Sequence, residues 1–352
     1  MQHRTTILAA FLLGAAPALS SAEPSLAPTP PDAPGAPIDL GCSEFDRFEE
    51  LTPNDTLTLV VNVHNPEHAQ GFLVVAAADE TGEHIGFDAL IGQTMVIDGI
   101  ERFEYSVNAL DYRAKVARGE ATDLNGDGYR DLDGLEYERT AAELLVPRFI
   151  GASPAVTPSK LILIGLAGGA DFDTTVDFLI ANDNEEVFSA EHTFNCWDKI
   201  SLTTVSNAFL SSFLTSTDHN VLEHAAGREN GWFRMRGAVA NSVSTSVANP
   251  PIAAVYVERV GSYSVADLPF ELGLANGSLL PRGAQGGGVA AVGAPVDAAG
   301  RIARRKPGSL LLYPEFDNRG GMVSLITVTN TDPVDDVRVH FVYYGKYGAD
   351  MM

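Results

Sequence analysis

The twelve residues from Asp123 to Gly134, Asp-Leu-Asn-Gly-Asp-Gly-Tyr-Arg-Asp-Leu-Asp-Gly, concentrate oxygen ligands at close, regular spacing. Side-chain oxygens fall at the first, third, fifth and ninth positions, on Asp123, Asn125, Asp127 and Asp131. That order suits a hard cation such as Ca²⁺, which takes six to eight oxygens in flexible geometry. Tyr129 would add its backbone carbonyl, and Asp131 a direct or water-mediated contact. Gly128 falls where the chain must bend sharply, often with positive φ, which glycine adopts freely. The alternative is a solvated acidic turn rich in Asp, Asn and Gly.

The stretch Asp123–Leu132 resembles the calcium loop of FG-GAP repeats in integrin α propellers, and also the loops of dockerins and EF-hands. It departs from the EF-hand pattern at the twelfth position, where Gly134 stands instead of a bidentate Glu. Asp133 or Glu136 would take that role, or the site keeps the nine-residue length of FG-GAP. The resemblance spans about a dozen of the 352 residues. It implies Ca²⁺ held by Asp123, Asn125, Asp127, Tyr129, Asp131 and Asp133. It implies nothing about the remaining fold, and no propeller repeats are visible.

Other chemistry is sparse. Gly165-Leu-Ala-Gly168-Gly169 lacks the Gly-Lys-Ser/Thr ending of a phosphate loop and reads as the end of a buried strand. No Gly-x-Ser-x-Gly elbow occurs. His64 and His68 fall on a strand and its turn, and His219, Glu223 and His224 lack zinc-site spacing. Acidic pairs such as Asp171/Asp173 and Glu185/Glu186 read as solvated turns. A glycosidase carboxylate pair has no sequence signature, because its separation is spatial.

With 46 acidic and 23 basic residues, the chain carries a formal charge of −23. Such a field repels nucleic acid and anionic lipid and attracts divalent cations. Residues 1–22 read as a secretory signal peptide, with Arg4, an apolar run from Ile7 to Leu19 and small residues Ser20-Ser21-Ala22. That run is too short for a membrane span, and no other stretch reaches spanning length. The expected location is therefore extracellular or periplasmic. Cys42 and Cys196 are the only cysteines. In an exported chain they suggest one disulfide, with Trp197 packed on it; two buried free thiols are the alternative.

Residues 23–41 form a proline-rich linker. Beyond it the pattern is β. Thr56–His64 and Gly71–Ala77 read as a hairpin around Asn65-Pro66, and Thr175–Ile180 and Val187–Phe194 as another. Met95–Ile97, Phe103–Val107, Leu161–Leu166, Gly231–Arg236, Ser242–Val247 and Ile252–Val260 are further strand candidates. Short helices are expected at Tyr112–Arg118 and Leu135–Leu145, flanking the acidic loop. Ser201–Leu214 fits either a helix or a strand. Residues 282–308 are Gly/Ala-rich, with a basic cluster at Arg301, Arg304, Arg305 and Lys306, and read as a flexible linker.

The C-terminal stretch echoes the N-terminal one. Glu315-Phe316-Asp317 precedes a strand, a turn at Asp332-Pro333 and a second strand, as Glu44-Phe45-Asp46 precedes Thr56–His64, Asn65-Pro66 and Gly71–Ala77. The fold expected is mostly β: two β-sandwich (Ig-like) domains, 42–198 with the calcium-loop excursion and 199–281. A hairpin in 309–352 would complete the second or pair elsewhere. The function expected is a secreted, non-enzymatic, calcium-binding surface or adhesion module that meets a cell-surface or matrix component. The alternatives are a glycan-binding or glycan-hydrolysing protein, with Trp232, Tyr256 and Tyr263 as a platform, and a self-associating fibre subunit.

Overall fold

Some strands in this chain are apolar on alternate residues, and others are apolar throughout and need cover on both faces. The computed structural model describes residues 42–99, 103–132, 134–141, 143–154, 156–167, 172–182, 186–214, 229–243, 245–260, 263–272 and 307–346. The leader, the proline-rich linker, the basic cluster, the His219–His224 group, Asp133 and most of the 282–308 stretch lie outside these residues. So do Gly168, Gly169, Asp171 and Glu185.

The described strands form four antiparallel sheets. Sheet I runs β2 (Thr56–Val60), β18 (Met322–Asn330), β4 (Leu90–Asp98) and β5 (Phe103–Asn108). Sheet II runs β1 (Ser43–Leu51), β19 (Val337–Lys346), β3 (Gln70–Ala78), β17 (Leu310–Asp317) and β6 (Leu110–Tyr112). Sheet III runs β11 (Trp197–Ser201), β8 (Lys160–Gly165), β14 (Ile252–Val260) and β15 (Tyr263–Asp267). Sheet IV runs β10 (Val187–Asn195), β9 (Asp173–Asn182), β12 (Asn230–Asn241), β7 (Glu143–Ile150) and β16 (Phe270–Leu272), with β13 (Ser246–Ala248) beside β12.

The sheets stack in that order, and three hydrophobic cores lie between them. On β3, Leu73, Val75 and Ala77 meet Ile326 and Val328 of sheet I, whereas Phe72, Val74 and Ala76 meet Ile162, Ile164 and Val255 of sheet III. On β8, Leu161 and Leu163 turn the other way, toward Phe178, Phe233 and Met235 of sheet IV. The two inner sheets are thus buried on both faces, which is why Phe72–Ala77 and Leu161–Ile164 read as unbroken apolar runs. The outer strands alternate, as in the buried/half-exposed repeat of β18. The result is sandwich I/II joined to sandwich III/IV through a middle core.

The sequence-based boundary at 198/199 does not separate the sheets. β7 to β16 supply sandwich III/IV, and β17 to β19 return to complete sandwich I/II. The described residues, from Cys42 on, form one compact unit. The C-terminal strands are internal parts of sheets I and II, not an appended hairpin. Neither expected Asn-Pro or Asp-Pro hairpin forms. β2 pairs with β18 and β3 with β19, so each turn carries the chain from sheet I to sheet II. A sandwich buries both strands of such an arch against opposite sheets, an outcome that turn residues alone do not distinguish from a hairpin. By contrast, β9 and β10 do form the expected hairpin.

The terminal echo is a repeat of strand order. Pro66 and Pro333 are 267 residues apart, and Leu59 faces Ile326 across β2 and β18 at the same spacing. β3 and β19 slip by one residue against that spacing, with Val75 facing Phe341, so the arches share strand order without an exact repeat. The Glu-Phe-Asp triplets, 271 residues apart, are out of step with that spacing as well: Glu44 faces Tyr344 on the edge strand, whereas Glu315 is fully buried in β17.

The helices expected around the acidic loop are absent from the described residues there. Ala114 bridges Tyr137 instead, with Lys115 N–H donating to the Glu136 carbonyl at 2.7 Å and Glu138 N–H to that of Arg113 at 2.9 Å. Ser201–Leu214 resolves into three single helical turns, Leu202–Val205, Asn207–Phe209 and Ser211–Leu214, which bury Leu202, Phe209 and Leu214 in the outer core of sandwich III/IV.

Candidate metal centre

The acidic loop lies on the crossing from β6 in sheet II to β7 in sheet IV, the one described path out of the first sandwich into the second. Its backbone is anchored before any ion is considered. Leu132 and Tyr137 are buried in the middle core, and Arg130 is 2% exposed, donating from Nη1 to the Tyr344 hydroxyl at 2.9 Å. Thr122 bonds the Tyr137 hydroxyl at 3.0 Å. Between these anchors, Gly126 and Gly128 take φ of +72° and +77°, the left-handed region that favours glycine.

Two carboxylates fold the loop around themselves. Asp123 accepts backbone N–H bonds from Gly126 (2.7 Å) and Asp127 (3.2 Å) on Oδ1 and from Gly128 (2.9 Å) on Oδ2. Glu136, 2% exposed, accepts from Leu124 N–H at 2.7 Å and from Asp131 N–H at 3.2 Å, tying the loop's entrance to its exit. Burial raises the Glu136 carboxyl to about 7, and the charges of Asp131 and Asp123 push the same way against its two backbone donors. Asn125 Oδ1 accepts from Asp127 N–H at 3.0 Å, and Asp127 Oδ1 from Tyr129 N–H at 2.8 Å. The Asn125 amide nitrogen donates to Asp127 Oδ2 at 2.8 Å and to Asp131 Oδ2 at 3.1 Å, sitting between two carboxylates.

Of the expected ligands, Asp123, Asn125, Asp127 and Asp131 are brought together, Tyr129 lies on the same turn, and Asp133 lies outside the described residues. Among the described residues, no group of three or more His, Cys, Asp or Glu side chains is drawn together closely enough to grip an ion as it stands. The geometry above gives the reason: the carboxylates face backbone donors and an amide. Glu136, the first glutamate past the ninth loop position, closes the loop through its two backbone bonds, a role that ligand spacing alone does not give it.

No protein family matches the chain, and no curated protein matches it. Among solved structures, infectious bursal disease virus-derived T=1 particles are 7% identical over 90% of this chain and 81% of that chain, with a TM-score of 0.12. The VP2 subviral particle of the same virus is 8% identical over 90% and 84%, with a TM-score of 0.11. Likeness this low carries no argument.

The remaining histidines and aromatics sort into structure. His64 bonds the Tyr343 hydroxyl at 2.7 Å and Glu49 at 3.2 Å, while His68 bonds Ser43 and Asn65, so the two do not converge. Tyr256 is buried and bonds Ser159 at 3.0 Å, which removes it from any exposed platform; the Tyr263 side chain lies outside the description. Trp232 faces outward at 38% exposed instead of packing in the core. Cys42 and Cys196 are bonded, and Trp197 shares their core, donating to the Pro314 carbonyl at 3.0 Å. A second polar cluster was not visible in the sequence: Lys199 and Tyr105 both bond Glu315, all three 8% exposed or less, between sheets I, II and III. Among the described residues, no helix is long and apolar enough to cross a membrane.

Proposed function

We propose that the chain is an exported, calcium-stabilised structural module of a cell surface or matrix, without catalytic activity. One observation carries this reading. The loop from Asp123 to Glu136 has its ligand-bearing turn preformed by backbone bonds, while oxygens of Asp127 and Asp131 are left around a single amide nitrogen. In the calcium-bound form Asn125 would turn its amide oxygen toward the ion, beside Asp123, Asp127, Asp131 and the Tyr129 carbonyl. The Cys42–Cys196 bond fits an oxidising compartment.

Ligation would stabilise the folded state only, because the unfolded loop has no such arrangement. At an ion concentration 100 times Kd the gain is about 2.7 kcal/mol, which raises Tm by a few degrees in a chain of this size. Extracellular calcium modules bind with Kd on the order of 10⁻⁴ to 10⁻³ M. Scanning calorimetry with and without calcium tests the proposal: Asp127→Ala should abolish the rise in Tm. A variant that keeps the full rise refutes the assignment.

A second reading, glycan binding, is favoured by Trp232. It stands on the outer face of sheet IV one strand step from Arg234, which with Arg236, Asp177 and Glu143 lines a groove of about 680 Å³. Binding on a glycan array that Trp232→Ala removes would support it.

A further inference from the structure

We propose that the outer face of sheet I is the surface on which two copies of this chain associate. The four strands turn fourteen side chains away from the core on this face. Surfaces usually carry charge at 25–35% of positions, so about four of the fourteen should be charged. Only Glu104 is. The outer face of sheet IV has the ordinary composition by comparison, with Glu143, Asp177, Glu191, Arg234 and Arg236 in one groove.

The register arranges the face in rows. Val60, Leu325 and Met95 stand side by side across three strands, with Val323 and Ile97 in the next row. On the other side run Thr58, Thr327, Gln93 and Asn108. An apolar centre with an uncharged hydroxyl and amide border is the make-up of a homodimer contact, whose core is depleted in charge. Part of the border is already held in place: Thr56 bonds Thr329 at 2.9 Å, Thr58 bonds Thr327 at 3.4 Å, and Gln93 bonds Asn108 at 3.3 Å. Side chains fixed before contact lose less entropy on association.

Charge decides the occupant. At a formal charge of −23, two copies repel each other through most of their surface. They approach most easily through a face that carries almost no field. A basic partner would find nothing to pair with here, because the one charged group sits at the margin, on β5. The area fits a weak, concentration-dependent dimer. Strands of five, nine, nine and six residues, at about 3.4 Å per residue and about 4.8 Å apart, cover roughly 470 Å², so two such faces bury about 900 Å², in the range of transient interfaces.

Sedimentation velocity of the mature full chain, from about 1 to about 100 μM at about 0.15 M salt, tests the proposal. The wild type should pass from monomer to dimer with concentration. Leu325→Glu combined with Gln93→Glu should weaken association about 100-fold or more, through like charges placed face to face. Thr327→Lys provides an independent single-site probe and should weaken it too. Each variant should keep the wild-type melting temperature within a few degrees, since these side chains point away from the core. A wild type that stays monomeric at the highest concentration overturns the proposal. So does a dimer that survives all three substitutions, because association then uses another surface. If the wild type is monomeric and the variants melt much earlier, the face is covered by this chain's own residues and the proposal fails.

Discussion

Acid should weaken this fold through His68, and the size of the effect follows from its contacts. Asn65 Oδ1 accepts the backbone N–H of Glu67 at 3.1 Å and of His68 at 3.3 Å, which fixes the orientation of that amide. Asn65 Nδ2 then donates to His68 Nδ1 at 3.1 Å, so the ring proton sits on Nε2 and donates to Ser43 Oγ at 2.8 Å. Protonating Nδ1 would set two donors against each other in a site 2% exposed. Burial accordingly lowers the ring to about 4 from its usual 6.5. The folded state then binds this proton more weakly than the unfolded chain does. The stabilisation is full above pH 6.5 and is lost as pH falls toward 4. Integrated between pH 7 and pH 4, the single site contributes about 3 kcal/mol. The measurement is urea unfolding at several pH values for wild type and His68→Gln, whose amide can still accept from Asn65 and donate to Ser43. Carboxylate titration is common to both proteins and cancels. The wild type should lose about 3 kcal/mol more than the variant across that window. Parallel pH curves would refute the argument.

Other outcomes follow from the same geometry. Replacing both Cys42 and Cys196 with Ala should cost about 5 kcal/mol in the chain-entropy account, for residues 154 apart, read as a drop in the urea midpoint. Gly92 on β4 lies beneath the Tyr313 hydroxyl, which an added Cβ would approach to 1.9 Å; Gly92→Ala should therefore destabilise by about 1–3 kcal/mol, with the Tyr313 bond to the Thr327 carbonyl lost. Glu136→Gln leaves one acceptor oxygen for two backbone donors, so amide exchange at Leu124 or Asp131 should quicken, consistent with about 1–3 kcal/mol for an unsatisfied buried group. Protection unchanged at both amides would show that Glu136 does not hold the loop closed.

The sequence made parts of this structure legible because their signals are local. The tight turn that gathers Asp123, Asn125, Asp127 and Asp131 is one, and the β9–β10 hairpin with its alternation is another. Cys42 and Cys196 paired as an exported chain suggests. What stayed hidden depended on partners far along the chain. β1 carries Glu44, Asp46, Arg47, Glu49 and Glu50, a composition that conceals a strand until β19 is known to lie beside it. β17 contains Pro314, tolerated where the register with β3 shifts between Tyr313 and Phe316. Its Glu315 reads as a surface residue until Lys199 and Tyr105, from distant strands, close around it. The insertion of sandwich III/IV within sandwich I/II is a fact of pairing that no local pattern records. Asp-Asn-Gly spacing likewise marked the loop's candidate ligands and offered Glu136 only as a stand-in for the twelfth position; its bond back to Leu124 N–H is a contact that spacing does not record.

Isothermal titration of calcium into the chelator-stripped protein tests the central claim most directly. Wild type should show one site per chain with Kd on the order of 10⁻⁴ to 10⁻³ M, and Asp127→Ala should show no heat above dilution. Heat that is absent from the wild type, or identical in the variant, would contradict an ion held by residues 123–136.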